Sequence, residues 1–344
     1  MEKLEVLANV TRLGERVVRI LGQNPGKFTL QGTNTHLIGR TNPYILLDAG
    51  QGIPEYTPIL RSALDKPAHP NLPDVSDIIL THRHGDHTLG LPSVLSLLRD
   101  LWTERNPSSA YTPPRLHKYP LPPGTVDDTL SNVVSLLPEG TFTLAPEGAF
   151  HDLQAGQTFT PTAPAPSIDP ADQTLIILHT PGHTSDSISL LYPADRALFT
   201  GDTVLGQGTA VFEDLSAYIS SLQHMLSHNR SSRPDDGFDI LYPAHGPVVQ
   251  SGSETINMYI THRLERESQV IDVLRKPPPN GEEAWTVWSI VGHLYAKYPQ
   301  NLWEPAAHGI GLHLKKLEKE SRAKGLGGEG KESKWKLDSE DGDS

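Results

Sequence analysis

The sequence predicts a layered α/β fold, and three observations support that prediction. Short apolar runs that fit buried strands alternate with longer segments of helical spacing. Four of the apolar runs end directly in a loop that contains histidine or aspartate. The chain has 344 residues, which is enough for about two domains and for a large core.

Composition narrows the chemistry and the compartment. The chain contains no cysteine, which excludes disulfides, thiolate metal ligands and a cysteine nucleophile. The formal charge of -12 disfavours non-specific binding to nucleic acid or anionic membranes. Apolar runs are shorter than a membrane span, and residues 1–22 lack the apolar region of a secretory signal. We therefore expect a cytoplasmic protein without a membrane partner, and the mitochondrial matrix is the alternative compartment.

The first part of the chain predicts strands, turns and two helices. Apolar runs at 17–21, 44–47 and 75–80 fit strands, whereas 54–64 and 91–102 have helical spacing. The last of these strands continues directly into the loop with most histidines. The following stretch, 103–172, is rich in Pro, Ser, Thr and Ala. It predicts loops and edge strands with one short helix near 126–137, and we expect it to contain a loop-rich surface insertion.

Regular patterning returns in the second part of the chain. The predicted strands are 175–178, 187–192, 197–200 and 240–242, and the predicted helices are 215–226 and 253–274. Pro277-Pro278-Pro279-Asn280-Gly281 ends the last helix and predicts a domain boundary. We expect a catalytic domain over 1–275, a small helical domain over 276–337 and a disordered tail over 338–344.

Histidine and aspartate residues follow the ends of four predicted strands. They are His82, His84, Asp86, His87, His183, Asp202 and His245. Because ligand sites in layered α/β folds lie beyond strand ends, the four loops can converge. One histidine among 16 is usually an ordinary surface or core residue. Three histidines and an aspartate within residues 82–87, however, have no packing purpose.

This set of residues predicts a metal centre. Nitrogen and oxygen donors without sulfur suit zinc or another borderline divalent ion. The set exceeds the four donors that one tetrahedral ion needs, so we expect two ions with one carboxylate between them. Such a pair activates water as a hydroxide nucleophile, which predicts a hydrolase.

The hexapeptide His82-Arg83-His84-Gly85-Asp86-His87 resembles the His-x-His-x-Asp-His motif of the metallo-β-lactamase superfamily. The resemblance implies an αβ/βα sandwich that binds two zinc ions per chain. It implies one ion at His82, His84 and His183, a second at Asp86, His87 and His245, and Asp202 as the bridge. It also implies that Asp48 supports the site from behind by hydrogen bonding. Asp86 is expected to orient the attacking hydroxide besides binding metal.

Further segments resemble the β-lactamase-like protein 2 family within that superfamily. They are 23–35, 201–214, 242–247, 312–320 and 334–336. The last two imply a small winged-helix-like domain after the catalytic domain. Two positions depart from the family pattern: Arg83 stands where Trp or a similar residue is usual, and Gly85 where a larger polar residue is common. Neither change removes a candidate ligand, but both alter the floor of the site.

The family has two branches, which imply different substrates. One is an animal mitochondrial endoribonuclease acting on single-stranded RNA, and the other is a group of fungal thioesterases that release polyketides from an acyl carrier protein. We favour the endoribonuclease, because the C-terminal segment matches closely and its basic residues surround Trp335, where a base could stack. Interleaved glutamates fit an ordinary solvated helix face equally well. The thioesterase fits the acidic charge, and a non-catalytic binding module is a third alternative that the intact ligand set opposes.

Overall fold

The first sheet forms one half of a sandwich. The computed structural model describes residues 4–162, 169–229 and 237–338. The seven strands lie in chain order: β1 (Val10–Arg12), β2 (Val17–Leu21), β3 (Asn34–Ile38), β4 (Tyr44–Leu47), β5 (Val75–Leu80), β6 (Arg115–Lys118) and β7 (Phe150–Asp152). Strands β1 to β4 pair antiparallel, and β4 to β7 pair parallel.

Helices cover the outer face of this sheet. They are α1 (Tyr56–Leu64), α2 (Gly85–Thr88), α3 (Leu91–Arg105) and α4 (Asp128–Ser135). Leu60 of α1 and Leu98 of α3 pack with Leu46 and Ile78 of the sheet in one buried cluster. Strand β6 pairs with both β5 and β7, so this part of 103–172 belongs to the sheet. The predicted helix near 126–137 is α4.

The second sheet completes the sandwich. It contains β8 (Thr158–Phe159), β9 (Leu175–His179), β10 (Ile188–Tyr192), β11 (Ala197–Gly201) and β12 (Ile240–Pro243), in the order β12-β11-β10-β9-β8. Ile45 and Ile79 of the first sheet share a buried cluster with Ile177, Leu190 and Phe199 of the second. Two helices, α5 (Leu215–His228) and α6 (Gly252–Leu274), contribute to a further cluster on the second sheet. The layers are therefore helices, sheet, sheet and helices, which confirms the αβ/βα sandwich.

The C-terminal domain is a winged helix. It contains β13 (Trp285–Thr286), α7 (Val287–Leu294), α8 (Trp303–Lys319), β14 (Ala323–Gly325) and β15 (Lys334–Leu337), with the strands in the order β13-β15-β14. The winged-helix-like domain that the sequence predicts is thus confirmed, and its two helices contain more residues than its three short strands. Every second side chain of β15 faces the core, so lysines alternate with buried or half-buried apolar residues. Of the predicted tail 338–344, only Asp338 lies within the described residues.

No helix within the described ranges combines the length and the apolar character that a membrane span requires.

Candidate metal centre

All seven predicted ligands lie together at one edge of the sandwich. His82 and His84 follow β5, Asp86 and His87 lie on α2, and the other three follow β9, β11 and β12. Their ligand atoms form two groups, within each of which all atoms lie within 4.8 Å of one another. The groups are His82, His84, His183 and Asp202, and Asp86, His87 and His245.

The first group is a triangle of ring nitrogens. His82 Nε2 lies 3.1 Å from His84 Nδ1, and His183 Nε2 lies 3.2 Å and 3.0 Å from these two atoms. Asp202 Oδ2 lies 3.5 Å from His183 Nε2. Three nitrogens and one carboxylate oxygen therefore converge, which is the donor number of a four-coordinate zinc ion.

The second group shares the same aspartate. Asp86 Oδ2 lies 3.2 Å from both His87 Nε2 and His245 Nε2. Asp202 Oδ1 lies 3.4 Å from His87 Nε2 and 3.2 Å from His245 Nε2. Asp202 thus presents one oxygen to each group, as a bridging carboxylate must.

Hydrogen bonds behind the rings fix their tautomers. His183 Nδ1 donates to Val211 O at 2.8 Å, and His87 Nδ1 donates to Asp48 Oδ2 at 2.8 Å. Thr81 Oγ1 donates to Asp48 and therefore accepts from His82 Nδ1 at 3.0 Å. In its neutral, metal-binding form, each of these three rings consequently turns an unprotonated Nε2 toward the centre.

A divalent cation fits this arrangement. Lone pairs of ring nitrogens at 3.0–3.2 Å repel one another unless a positive charge lies between them. His87 Nε2 and Asp202 Oδ1 are buried and have no hydrogen-bond partner. Such orphaned groups are rare in folded proteins unless an ion or water satisfies them. The donor set of imidazole and carboxylate suits zinc and similar borderline ions.

The pKa values of two histidines in the second group also indicate that the centre favours a positive charge. Burial lowers the pKa of His245, but Asp202 outweighs it and raises that pKa to about 9. Burial likewise lowers the pKa of His87, yet the neighbouring aspartates raise it well above its ordinary value. Protons therefore stand in for a cation in the second group, and metal binding would release them.

Asp48 supports the centre as the family resemblance implies. Its backbone adopts the left-handed region, with φ 61°. Its carboxylate accepts hydrogen bonds from Thr81 N at 2.8 Å and Thr81 Oγ1 at 2.9 Å besides the one from His87. One buried carboxylate thus orients residues of both groups.

Thr33 is a supporting residue that sequence reasoning missed. Thr33 Oγ1 donates to Asp86 Oδ2 at 3.0 Å, and Asn24 holds Thr33 through its backbone N and its hydroxyl. Both residues lie in the segment 23–35, whose family resemblance was the only signal that could have identified them.

Arg83 lies within the candidate-ligand segment 82–87 and contacts three carboxylates. Its guanidinium lies 3.1 Å from Asp127, 3.3 Å from Asp186 and 2.5 Å from Glu213. Asp127 is the N-cap of α4, so this network ties the 103–172 stretch to the centre. Three carboxylates surround the cation, so its charge is already neutralised within the chain.

Gly85 leaves room for the same stretch. A Cβ at this position would lie 2.9 Å from Leu89 Cδ1 and 3.6 Å from Thr129 Cγ2 of α4. A larger residue would therefore displace Leu89 and push against α4.

A cavity of about 460 Å³ covers the centre. Its floor contains His84, Asp86, His183, Asp202 and His245. Phe28 and Leu30 form one wall, and Leu205, Ala210 and Val211 form another. Lys27 lies at the edge, with Nζ 5.4 Å from the Phe28 ring centroid. The walls are mostly apolar, although Thr29, Gln207 and Thr209 also line the cavity, and the candidate ligands converge on the floor.

Comparisons with known proteins agree with this geometry. Residues 28–245 match the metallo-β-lactamase superfamily, and residues 286–335 match the β-lactamase-associated winged-helix domain. An atrochrysone carboxyl ACP thioesterase of Aspergillus novofumigatus is 35% identical over 278 residues, which is 81% of this chain and 69% of the relative. A β-lactamase-like protein 2 homologue of Drosophila melanogaster is 33% identical over 320 residues, or 93% of each chain.

Solved structures share the fold. A β-lactamase domain protein from Burkholderia ambifaria superposes with a TM-score of 0.63 at 16% identity, covering 95% of this chain and 93% of that one. A metallo-β-lactamase family protein from Thermus thermophilus has a TM-score of 0.59 at 17% identity, covering 95% and 100%. The chain therefore belongs to the metallo-β-lactamase superfamily of hydrolases and carries the winged-helix domain associated with it.

Proposed function

We propose that this chain is a zinc-dependent thioesterase that hydrolyses an acyl thioester on a carrier protein. The cavity over the centre carries the proposal, because mostly apolar walls around convergent polar groups suit an acyl chain with one reacting carbonyl. Among the described residues that line it, Lys27 is the only lysine or arginine. A polynucleotide would require several cations along its backbone. Relatives named as acyl carrier protein thioesterases support the same substrate class.

The contacts of the C-terminal aromatic and basic residues argue against the RNA substrate that the sequence favours. Trp335 is 6% exposed, and its Nε1 donates to Ser333 Oγ, so its ring is not available to stack a base. Four lysines of the segment have carboxylate partners: Lys316 with Glu267, Lys319 with Asp214, Lys331 with Glu304 and Lys334 with Glu282. Much of the apparent positive charge is therefore neutralised within the chain.

Endoribonuclease activity on single-stranded RNA remains the second candidate. Its support is the similarity to β-lactamase-like protein 2 homologues, which extends through the C-terminal domain over 93% of this chain. The thioesterase relative from Aspergillus matches over 81%. One preparation must therefore be tested on both substrates.

The residues of the centre have separable roles. We assign His82, His84 and His183 to one zinc ion, Asp86, His87 and His245 to the other, and Asp202 to both. When bound, such an ion pair polarises the reacting carbonyl and makes water nucleophilic near neutral pH. Asp86 Oδ2 is held by Thr33, His87 and His245. Asp86 Oδ1 would accept one proton as the water oxygen bonds to the thioester carbonyl carbon. The C–S bond then breaks and the same proton passes to the leaving sulfur, so the products are a carboxylic acid and a thiol.

We place the domain boundary after residue 275. Helix α6 ends at Leu274, and the run of prolines follows it. Residues 1–275 would then form the catalytic domain, and 276–337 the winged helix.

The test combines metal content with activity. We expect about two zinc ions per purified chain and turnover of an acyl-carrier thioester. His84→Ala and Asp202→Ala should each lose at least about 10³-fold of that activity, because each removes a ligand. The control is His224→Ala, an exposed histidine on α5 outside both groups, and it should retain activity.

Other outcomes assign the function differently. Cleavage of a fluorescent single-stranded RNA, lost in both ligand variants and without thioester turnover, would establish the second candidate. A protein with neither bound metal nor activity would contradict the hydrolase mechanism and leave a binding module.

A further inference from the structure

A second cavity, of about 350 Å³, lies between α6 and α8 and is rich in basic and aromatic side chains. We call it the arginine cleft. Its main groups are Arg263, Arg266, His262, Tyr295, Tyr298 and Phe212. No carboxylate side chain is among the described residues that line it. In a chain with a net charge of -12, such a lining is a local reversal of charge.

The two arginines of the cleft have uncompensated charge. Arg263 lies 4.8 Å from the Phe212 ring centroid, and Arg266 lies 4.8 Å from that of Tyr295. Neither pairs with a carboxylate within the described part of the chain. Arg263 Nε is buried without a hydrogen-bond partner. Glu267, the next residue on α6, is already paired with Lys316 at 2.8 Å.

This arrangement suits one anionic group. A half-buried guanidinium without a counter-ion keeps its hydrogen-bond donors available, and arginine matches phosphate oxygens geometrically. Stacking on aromatic rings holds both guanidinium groups in place before a ligand arrives. Tyrosine and histidine side chains in the same cleft supply further donors.

A short segment joins the arginine cleft to the metal cavity. Ala210 and Val211 line the metal cavity, and the next residue, Phe212, lines the arginine cleft. Arg263 Nη2 donates to Ala210 O at 2.9 Å, and His183 Nδ1 donates to Val211 O. The two cavities are therefore neighbours along the segment 210–212.

We propose that the arginine cleft binds the phosphodiester of the phosphopantetheine arm that carries the acyl thioester. This inference rests on the proposed thioesterase function. The arm has the thioester at one end and a single phosphodiester at the other, which matches a reaction centre and one anion site. A nucleic acid, with a phosphate at every residue, would need a longer track of free cations.

The test compares S-benzoyl phosphopantetheine with S-benzoyl pantetheine, which lacks the phosphate. The native zinc enzyme should show about tenfold higher kcat/KM for the phosphorylated compound, the value of one charge-assisted contact. Arg266→Gln should bring that ratio close to one, because it removes the charge that faces the phosphate. Arg266→Lys should retain part of the preference. Arg275→Gln changes an exposed arginine at the end of α6 outside the cleft, and should leave both rates unchanged.

The remaining outcomes decide against the proposal. A ratio near one in the native enzyme, or an equal loss on both compounds in Arg266→Gln, would show that the arginine has only a structural role. If neither compound is hydrolysed, the thioesterase function fails, and calorimetry with S-methyl phosphopantetheine and S-methyl pantetheine then tests the cleft alone. Equal affinity for these two, or an affinity for single-stranded RNA that Arg266→Gln abolishes, would overturn the inference.

Discussion

The metal centre and the C-terminal domain both concentrate polar and charged side chains, but they satisfy them in opposite ways. In the centre, ring nitrogens face one another, and His87 Nε2 and Asp202 Oδ1 have no hydrogen-bond partner. In the C-terminal domain, lysines meet carboxylates, as Lys316 meets Glu267 and Lys331 meets Glu304. Like groups that face one another therefore indicate a cation site, whereas oppositely charged side chains in contact indicate structure.

Removing metal should have the largest effect on activity and stability, because the side chains of the metal centre need a cation between them. A chelator is expected to lower thioester turnover by at least about 10³-fold and to lower the thermal midpoint. Bound zinc stabilises the native state by about 4 kcal/mol when free zinc exceeds its Kd about 1,000-fold. Zinc titration followed by calorimetry and activity measures both changes. A chelated protein that keeps full activity would contradict the assignment of the seven ligands.

Glu267 tests how much an ion pair with a lysine of the C-terminal domain contributes to stability. Its carboxylate is 4% exposed and pairs with Lys316, whose side chain is also buried. Glu267→Ala removes the buried partner of Lys316 and leaves it only the partly exposed Glu320 at 2.7 Å, so we expect the free energy of unfolding to fall by about 2 kcal/mol. Urea unfolding measures it. Glu265→Ala, an exposed neighbour on α6, is the control and should change little.

The pH dependence of Glu267 sharpens this result. Burial raises the pKa of Glu267, but His313 and Lys316 outweigh it and lower that pKa below its usual 4.5. A depressed native pKa stabilises the fold above pH 4.5, and this stabilisation is lost as the pH falls through the native pKa. The difference in unfolding free energy between the native chain and Glu267→Gln should therefore narrow in acid. A constant difference on both sides of pH 4.5 would contradict the ion-pair interpretation.

The two regions also differ in how far the sequence predicts them. The seven candidate ligands follow strand ends, and the strands are visible in the sequence as short apolar runs. Sequence alone can therefore single out His183 and Asp202 as candidate ligands. The three partners of Arg83 lie 44, 103 and 130 positions away in the chain, and no local pattern connects them. Thr33 is similarly invisible, because its hydrogen bond to Asp86 depends on how two loops meet.

Trp335 shows why the sequence of the C-terminal segment is a weak guide to its substrate. A count of basic residues around an aromatic ring suggests a nucleic-acid surface. In β15, however, alternate residues face opposite sides, so Lys334 and Lys336 point to solvent while Trp335 enters the core. The burial of Trp335 can be predicted only when these four residues are recognised as a strand.

Asp48 tests the hydrogen bonds that support the metal centre from behind. Asp48→Asn weakens the hydrogen bonds that orient His87 and Thr81, so we expect zinc affinity to fall about 10- to 100-fold. Competition with a chromophoric chelator measures it. Asp128→Asn, at an exposed position on α4, is the matched control. An unchanged affinity would mean that the rings keep their orientation without this carboxylate.

Lys331 gives the smallest expected effect and the sharpest separation between the two substrate classes. Its ammonium lies 4.6 Å from the Trp288 ring centroid and pairs with Glu304, and both partners of the ion pair are largely exposed. Lys331→Ala should therefore lower the free energy of unfolding by less than about 1 kcal/mol and leave thioester turnover unchanged. A lysine already neutralised by its own domain has little charge left to offer a polynucleotide. If the substitution instead weakened RNA binding several-fold, the C-terminal lysines would be substrate contacts, and the contrast between the unsatisfied metal centre and the neutralised lysines would fail.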